Sequence, residues 1–424
     1  FRTMSNTVRV QPDLKFVQEL QQVGGEALKK CYQCATCGVV CPLSPADGPY
    51  PRKEMVWAQW GLKDKLVNDI DIWLCHNCGT CSDMCPRGAK PGDLLAALRN
   101  MAYRSLAKPA IIGTWMSSSK YFPILMLIPA ILYGFIWSIM AGKLGTAFPL
   151  FVAEGHELKV AAEGAIIYGG LFPGDYTIDP IFGAVFAFMV FAFAGGIASM
   201  LKGFEGMPRT FIVGRGAEPS FLSCLIDTLK VEVAQHSRFQ NCGQEEKDVQ
   251  RFTGHLFVFY AFIALMIVTS VVAVGHWFGA WFLQHVMGIE GGIAALIAWA
   301  GHTPMPLWSP VKILANLGAI ALVYGLMKLT GRRSALDAAK SSSNWYDWYL
   351  LTVIWGIAVT GIGSEIFRLM GQKVLAYPTY YLHLVFVFMM LAYLPWSKLG
   401  HVVYRTVALA YARKIGRLPM GELK

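Results

Sequence analysis

Six apolar stretches, near 121–141, 178–201, 254–279, 309–329, 346–370 and 377–397, dominate this chain. Each is long enough to cross the hydrocarbon core of a bilayer, which takes roughly 20 helical residues. Several ends carry Trp or Tyr, as expected of anchors at a membrane–water interface. Composition agrees: of 424 residues, 55% are hydrophobic and only 15% charged, against about 25% charged in soluble domains. The expected organisation is all-α, with a polar domain over 1–110 and a six-helix membrane domain with a basic tail over 111–424.

The net charge of +10 lies largely in the connections. Lys202, Arg209, Arg215, Lys230, Arg238, Lys247 and Arg251 lie between the second and third stretches. Lys328, Arg332, Arg333 and Lys340 flank the end of the fourth, and Lys398, Arg405, Arg413, Lys414, Arg417 and Lys424 fill the tail. By contrast, 280–308 has no Lys or Arg. The positive-inside rule then places both termini in the cytoplasm, in a multi-pass protein of the inner membrane. Charge so placed speaks for topology and against a nucleic-acid partner. The chain opens on Phe1, so its natural start is expected at Met4 or upstream. With no apolar leader, the polar domain is expected to stay in the cytoplasm, where thiols remain reduced.

In the polar domain, "PDLKFVQELQQVGGEALKKC" reads as a short amphipathic helix ending at Gly24-Gly25. "KEMVWAQWGLKDKLV" and "PGDLLAALRNMAYRSLA" read as two more, the latter with Pro91 and Asp93 in its first turn. No strand alternation stands out. Between these helices lie two cysteine runs, "CYQCATCGVVCP" at 31–42 and "CHNCGTCSDMCP" at 75–86. Each is C-x2-C-x2-C-x3-C-P, the spacing of bacterial two-cluster ferredoxins, in which the fourth cysteine ligates the other cluster. Cys31, Cys34, Cys37 and Cys85 are therefore assigned to one [4Fe-4S] cluster, and Cys75, Cys78, Cys81 and Cys41 to a second. Zinc sites use C-x2-C pairs separated by a longer gap, which fits these runs badly. Cys224 and Cys242 read as structural or incidental thiols, and His76 as a residue that tunes a cluster by hydrogen bonding.

Ionisable groups inside membrane stretches are costly and usually functional. His255 and His276 bracket the third stretch; His383 and His401 bracket the sixth. The expected topology puts His255 and His401 near the cytoplasmic face, and His276 and His383 near the outer one. Each pair is placed to clamp one haem iron from two helices. His383 and His401 are 18 residues apart, about 27 Å and five turns of a single helix. His255 and His276, 21 apart, span about 31 Å and lie about 60° off a common face. His285 and His302 are substitutes for His276; His156 and His236 read as plain loop residues.

The 110 front residues resemble the C subunit of heterodisulfide reductase. The remainder is similar to that enzyme's cytochrome b anchor and, more distantly, to the gamma subunit of respiratory nitrate reductase. The resemblance rests on "YLHLVFVFMMLAYLPWSKLGH" at 381–401 and "RFTGHLF" around His255; "VEVAQHSRFQNCG" at 231–243 is a further shared element without a physical role. The fusion of both parts resembles the C subunits of quinone-modifying oxidoreductases (Qmo) of sulfate reducers. The nitrate reductase pattern departs at Leu265, where a second histidine would stand; His276 is the candidate partner of His383 instead.

The resemblance implies a subunit of a menaquinone-linked oxidoreductase. Electrons would pass between quinol and two soluble flavin and iron–sulfur subunits (Qmo A and B), and so to adenylylsulfate reductase in sulfate respiration. The cofactors implied are two [4Fe-4S] clusters and two haems b, or at least one. Quinol oxidation also needs a proton acceptor, and Lys312, Glu365 and Arg368 are candidates to line an outer quinone pocket. The alternatives are an anchor serving a heterodisulfide or sulfite-reduction module, and a haem-free anchor for an iron–sulfur arm. A transporter bundle lacks support, because no paired broken helices are apparent.

Overall fold

The computed structural model describes residues 11–45, 48–154, 157–206, 219–236, 246–338 and 341–421, with the backbone alone over 246–248. Among the described residues, six helices are long and apolar enough to cross a bilayer. They are Phe122–Leu144, Asp179–Glu205, Glu246–Ala273 with its π-type continuation Val274–Val286, Pro310–Ser334, Trp345–Leu369 and Lys373–Ala392. A helix satisfies its own backbone polar groups, the condition for crossing lipid. Proline stands in the first turn of the first, second and fourth spans, where it costs no hydrogen bond. The fifth is closed by a capping box of Asn344 and Asp347. Leu127, Ile131, Phe135 and Phe191 project outward from the first two spans. The third and fourth spans touch backbone to backbone: a Cβ on Gly325 would lie 2.8 Å from the Gly254 carbonyl oxygen. Small residues permit such approach in membranes.

Among the described residues the fold is all-α apart from one antiparallel hairpin, Phe151–Glu154 with Glu157–Val160, in the connection from the first span to the second. Strands of four residues each leave no readable alternation in the sequence.

In the polar domain, Asp13 caps Leu14–Leu20 by accepting the Phe16 N–H at 2.9 Å. The helical run opens at Gly24, φ 123°, where its end is expected, and a 3₁₀ segment, Glu26–Lys30, follows. The second expected helix divides into Arg52–Gln59 and Lys63–Val67 around Gly61, whose φ of 66° a helix does not accept. The third, Pro91–Leu106, forms whole.

This domain is seated on the bundle rather than tethered to it. One buried cluster runs from Phe16, Leu20, Trp73 and Tyr103 to Phe193 and Phe204 of the second span and Tyr404 and Leu409 of the C-terminal helix. Trp73 is fully buried, with the Tyr103 and Tyr404 rings at 5.5 and 5.8 Å. Each such pair contributes about 0.5–1.5 kcal/mol beyond area burial. Arg417 bonds Asp71 at 2.6 Å, and Asp93 accepts from Ser341 and Ser342 at 2.9 Å.

The sixth span corrects one expectation, that a single helix runs to 397 and carries His383 and His401 on one face. The helix ends at Ala392, passes through a 3₁₀ turn at Leu394–Trp396 and another at Lys398–Gly400, and restarts as His401–Lys414. Pro395 has no N–H to continue the ladder, and Ser397 caps the new turn by accepting from the Leu399 N–H at 3.2 Å. The two histidines therefore stand on different helices.

Candidate functional site

The cysteine runs fold as two copies of one local structure. In each, the second and fourth residues after the first cysteine are left-handed: Gln33 and Ala35 at φ 65° and 71°, Asn77 and Gly79 at 55° and 96°. A short helix follows in each, Thr36–Val39 and Thr80–Asp83. In each, the second cysteine lies beside a threonine hydroxyl, Cys34 Sγ to Thr36 at 3.3 Å and Cys78 Sγ to Thr80 at 3.4 Å. These turns fold the thiols inward around two separate cavities. One is lined by Cys31, Cys34, Cys37 and Cys85, the other by Cys41, Cys75, Cys78 and Cys81. In both, three cysteines come from one run and the fourth from the other.

Burial, then the neighbouring Cys31, Cys34 and Cys85, pushes the Cys37 thiol up to about 12. Burial likewise pushes Cys41 up to about 11. Thiols gathered in such places ionise only against a strong positive charge, which is what metal ligation supplies. Backbone N–H groups already point at two of the sulfurs: Asn77 at Cys75, 3.2 Å, and Ala89 at Cys85, 3.3 Å.

A third cavity, of about 240 Å³, lies where the third span, the C-terminal helix and the polar domain meet. His255 and His401 face each other across it with ring centroids 6.1 Å apart. Two imidazoles on opposite sides of one metal ion need about that separation, since each nitrogen lies roughly 2.0–2.1 Å from a first-row metal. His401 donates from Nδ1 to the Lys398 carbonyl at 2.7 Å, which leaves the lone pair on Nε2. His255 Nδ1 lies 3.1 Å from His236 Nε2. Ligating histidines characteristically have the second nitrogen held in this way. Burial pulls His401 down to about 4, so the ring is neutral. Around the cavity stand Arg99, Arg251, Arg332, Arg333, Lys398 and Arg405, against Glu232 and Asp347. Asp347 binds Arg333 at 2.9 Å and also Lys398, whose ammonium burial lowers to about 8.

The expected outer pair does not form. His276 is half-buried and bonds Asp175 at 2.6 Å, beside Trp277, whose indole N–H reaches Asp179 at 2.9 Å. His383 is the eleventh residue of the 20-residue helix Lys373–Ala392, about 15 Å from its start, so it lies mid-span rather than near the outer face. Its Nδ1 lies 3.2 Å from the Thr360 hydroxyl, and its ring packs on Gly361, where a Cβ would come within 3.0 Å. The pairing of His276 with His383 is thus corrected: the two rings engage different elements. His285 and His302 are exposed. Lys312 and Glu365 are joined at 2.8 Å, with Asn316 also on Glu365 at 3.3 Å. Arg368 forms no ion pair among the described residues. Cys224 is buried against Met420, while His156 and Cys242 lie outside the described residues.

Comparison with known proteins bears on the cysteine region. Residues 27–89 match the family model of the 4Fe-4S dicluster domain. The chain carries a 4Fe-4S dicluster domain. Around it, the chain is 35% identical over 94 residues to the C subunit of the H(2):CoB-CoM heterodisulfide,ferredoxin reductase of Methanothermobacter marburgensis, covering 22% of this chain and 50% of the relative. It is 32% identical over 96 residues to a protein of Archaeoglobus profundus described as like the C subunit of heterodisulfide reductase, covering 22% and 49%. It is 39% identical over 95 residues to an iron–sulfur C subunit of the CoB--CoM heterodisulfide reductase of Methanocaldococcus jannaschii, covering 20% and 50%. The chain thus spans about half the length of the curated relatives it matches. No solved structure matches.

The dicluster domain meets the histidine cavity at one wall. Cys75 and His76 line both the second cysteine cavity and the histidine cavity. Two arginines fasten that wall. Arg251, one turn before His255, donates to the His76 carbonyl. Arg405, one turn after His401, donates to His76 Nε2 at 2.7 Å and to the Trp73 carbonyl at 2.9 Å. Residues four apart share a helix face, so each histidine-bearing helix turns a ring to the cavity and an arginine to the same residue of the dicluster domain. In the sequence both arginines count only as basic charge. Their offsets of four from His255 and His401 are the signal that could have found them.

Proposed function

We propose that this chain is a membrane-anchored electron-transfer subunit of an oxidoreductase complex, linking a haem b site in the bundle to two [4Fe-4S] clusters. Cys31, Cys34, Cys37 and Cys85 hold one cluster; Cys75, Cys78, Cys81 and Cys41 hold the other. His255 and His401 hold the haem, and the cations around the cavity suit its two carboxylates. Bound there, these groups supply one-electron exchange. The protein positions them and fastens the cavity wall through His76. One observation carries the reading: the wall formed by Cys75 and His76 belongs to a cysteine cavity and to the paired-histidine cavity alike. One haem is proposed instead of two, because only one histidine pair faces across a cavity among the described residues.

The finer reading is a menaquinol-linked subunit of the inner membrane with both termini cytoplasmic. It would serve two soluble flavin and iron–sulfur subunits of the Qmo A and B kind, and adenylylsulfate reductase beyond them. A second reading, an anchor serving a heterodisulfide reductase module, draws on the similarity to the C subunits named above. Co-purification from the native membrane separates the two by which soluble subunits come along. The central claim is tested by counting iron, sulfide and haem per purified chain and recording a reduced-minus-oxidised spectrum. Two [4Fe-4S] clusters and one haem are expected. Clusters without haem would leave a membrane-tethered ferredoxin.

A further inference from the structure

The stretch 231–243 carries no part of the reading above, yet its described half, Val231 to His236, reaches the histidine cavity. It runs as a strap between the two helices that bear the facing rings. Glu232 accepts a hydrogen bond at 3.0 Å from Arg413 on the C-terminal helix, and both side chains are buried, 4% and 2% exposed. The Ala234 carbonyl accepts from the Tyr260 hydroxyl at 2.8 Å, on the helix of His255. His236 ends the strap. It is 4% exposed and left-handed at φ 54°, a conformation few residues other than glycine adopt. Its ring packs edge-on against Phe252 and Phe259, at 6.3 and 5.1 Å, and against His255 at 5.2 Å.

From this geometry we infer that His236 is a positioning residue for the haem site, the outer partner that fixes the tautomer and ring plane of His255. The 3.1 Å contact between His236 Nε2 and His255 Nδ1 has one proton. When it sits on His255 Nδ1, the His255 lone pair is on Nε2, the atom required for ligation, and His236 carries its own proton on Nδ1. The strap then matches the role of the Lys398 carbonyl on the opposite ring. The two ligands differ in consequence: one is fixed by rigid backbone and the other by a side chain on a strained segment. Outer partners of this kind raise ligand basicity, and their loss typically costs roughly 10–100-fold in metal affinity.

The inference deepens the haem reading and rests on it. The experiment compares wild type, His236→Phe, His236→Gln and Tyr260→Phe as full-length protein in detergent, by haem titration, haem midpoint potential and the low-temperature EPR g-values of the ferric state. In His236→Phe the acceptor is gone and the ring volume kept. Haem affinity should fall roughly 10–100-fold, the potential should rise and the g-values should shift. His236→Gln, whose amide oxygen can accept, should restore values near wild type. Should His236→Phe fail to fold, Tyr260→Phe frees the strap without touching either ring and should move the potential the same way by less. Unchanged affinity, potential and g-values in His236→Phe, or in Tyr260→Phe if only that variant folds, overturn the inference. Absence of haem from the wild type overturns the underlying reading and shows itself before any variant is made.

Discussion

At the end of the bundle that seats the dicluster domain, three of the four histidines that line one cavity meet ring to ring, each held by a neighbour. Farther along the third and sixth spans the histidines are dispersed. His276 is bonded to an exposed aspartate, and His383 is turned onto Thr360 and Gly361. Lying in an apolar stretch is thus not what makes a histidine a ligand candidate. What distinguishes His255 and His401 is a facing ring at 6.1 Å across a cavity, since His383 also has one ring nitrogen engaged, by Thr360. The cations are divided the same way. Six line the near cavity, whereas Lys312 at the far end is consumed by Glu365.

The sharpest way to break this contrast is to delete a ring at each end. His401→Ala should abolish the haem spectrum altogether, and His276→Ala should leave the haem count unchanged. A loss of haem in His276→Ala would restore the outer site that the structure does not form. Next in size are the cysteines. Cys75→Ser, at the shared wall, should remove one of two clusters, halving cluster iron, and shift the haem spectrum. Cys34→Ser should remove the other cluster and leave the haem spectrum as it was. Mössbauer and EPR counts with visible spectra read both, and identical haem effects would mean the wall is not a junction.

The arginine clamp predicts a smaller effect. Arg405→Gln and Arg251→Gln together should keep both clusters and the haem while slowing haem–cluster equilibration several-fold, read by flash or stopped-flow reduction. They should also cost about 1–3 kcal/mol, because buried carbonyl and imidazole acceptors lose charged donors. An unchanged rate would reduce the clamp to a stabilising contact. The least effect is expected at the far end. Lys312→Ala with Glu365→Ala should cost about 1 kcal/mol, since the pair is still about one-fifth exposed. Quinol-driven haem reduction should stay within about twofold of wild type. Its collapse would place the quinone pocket among Lys312, Glu365 and Arg368, as the sequence suggests.

Much of the site is legible in the sequence because its signals are local. Three cysteines at two-residue spacing can only turn inward together, and the exchanged fourth ligand follows from the trailing Cys-Pro. Six spans follow from length and apolarity alone. The failures share a cause. A single helix carrying both His383 and His401 rests on periodicity, which Pro395 interrupts. Gly61 splits a helix whose apolar pattern runs on without a break. His236 reads as loop because its burial is made by Phe252, Phe259 and His255, more than a dozen residues away.

By itself, then, the sequence determined the number of spans, the two cysteine quartets and the residue types able to hold redox groups. These depend on composition and on contacts within a turn or two. Only the tertiary structure decided that, of the two expected histidine pairs, His255 and His401 alone face one another among the described residues, that His76 is gripped from two helices, and that the dicluster domain shares a wall with the histidine cavity. Those relations join residues up to 332 positions apart, and they are set by how the helices pack against one another.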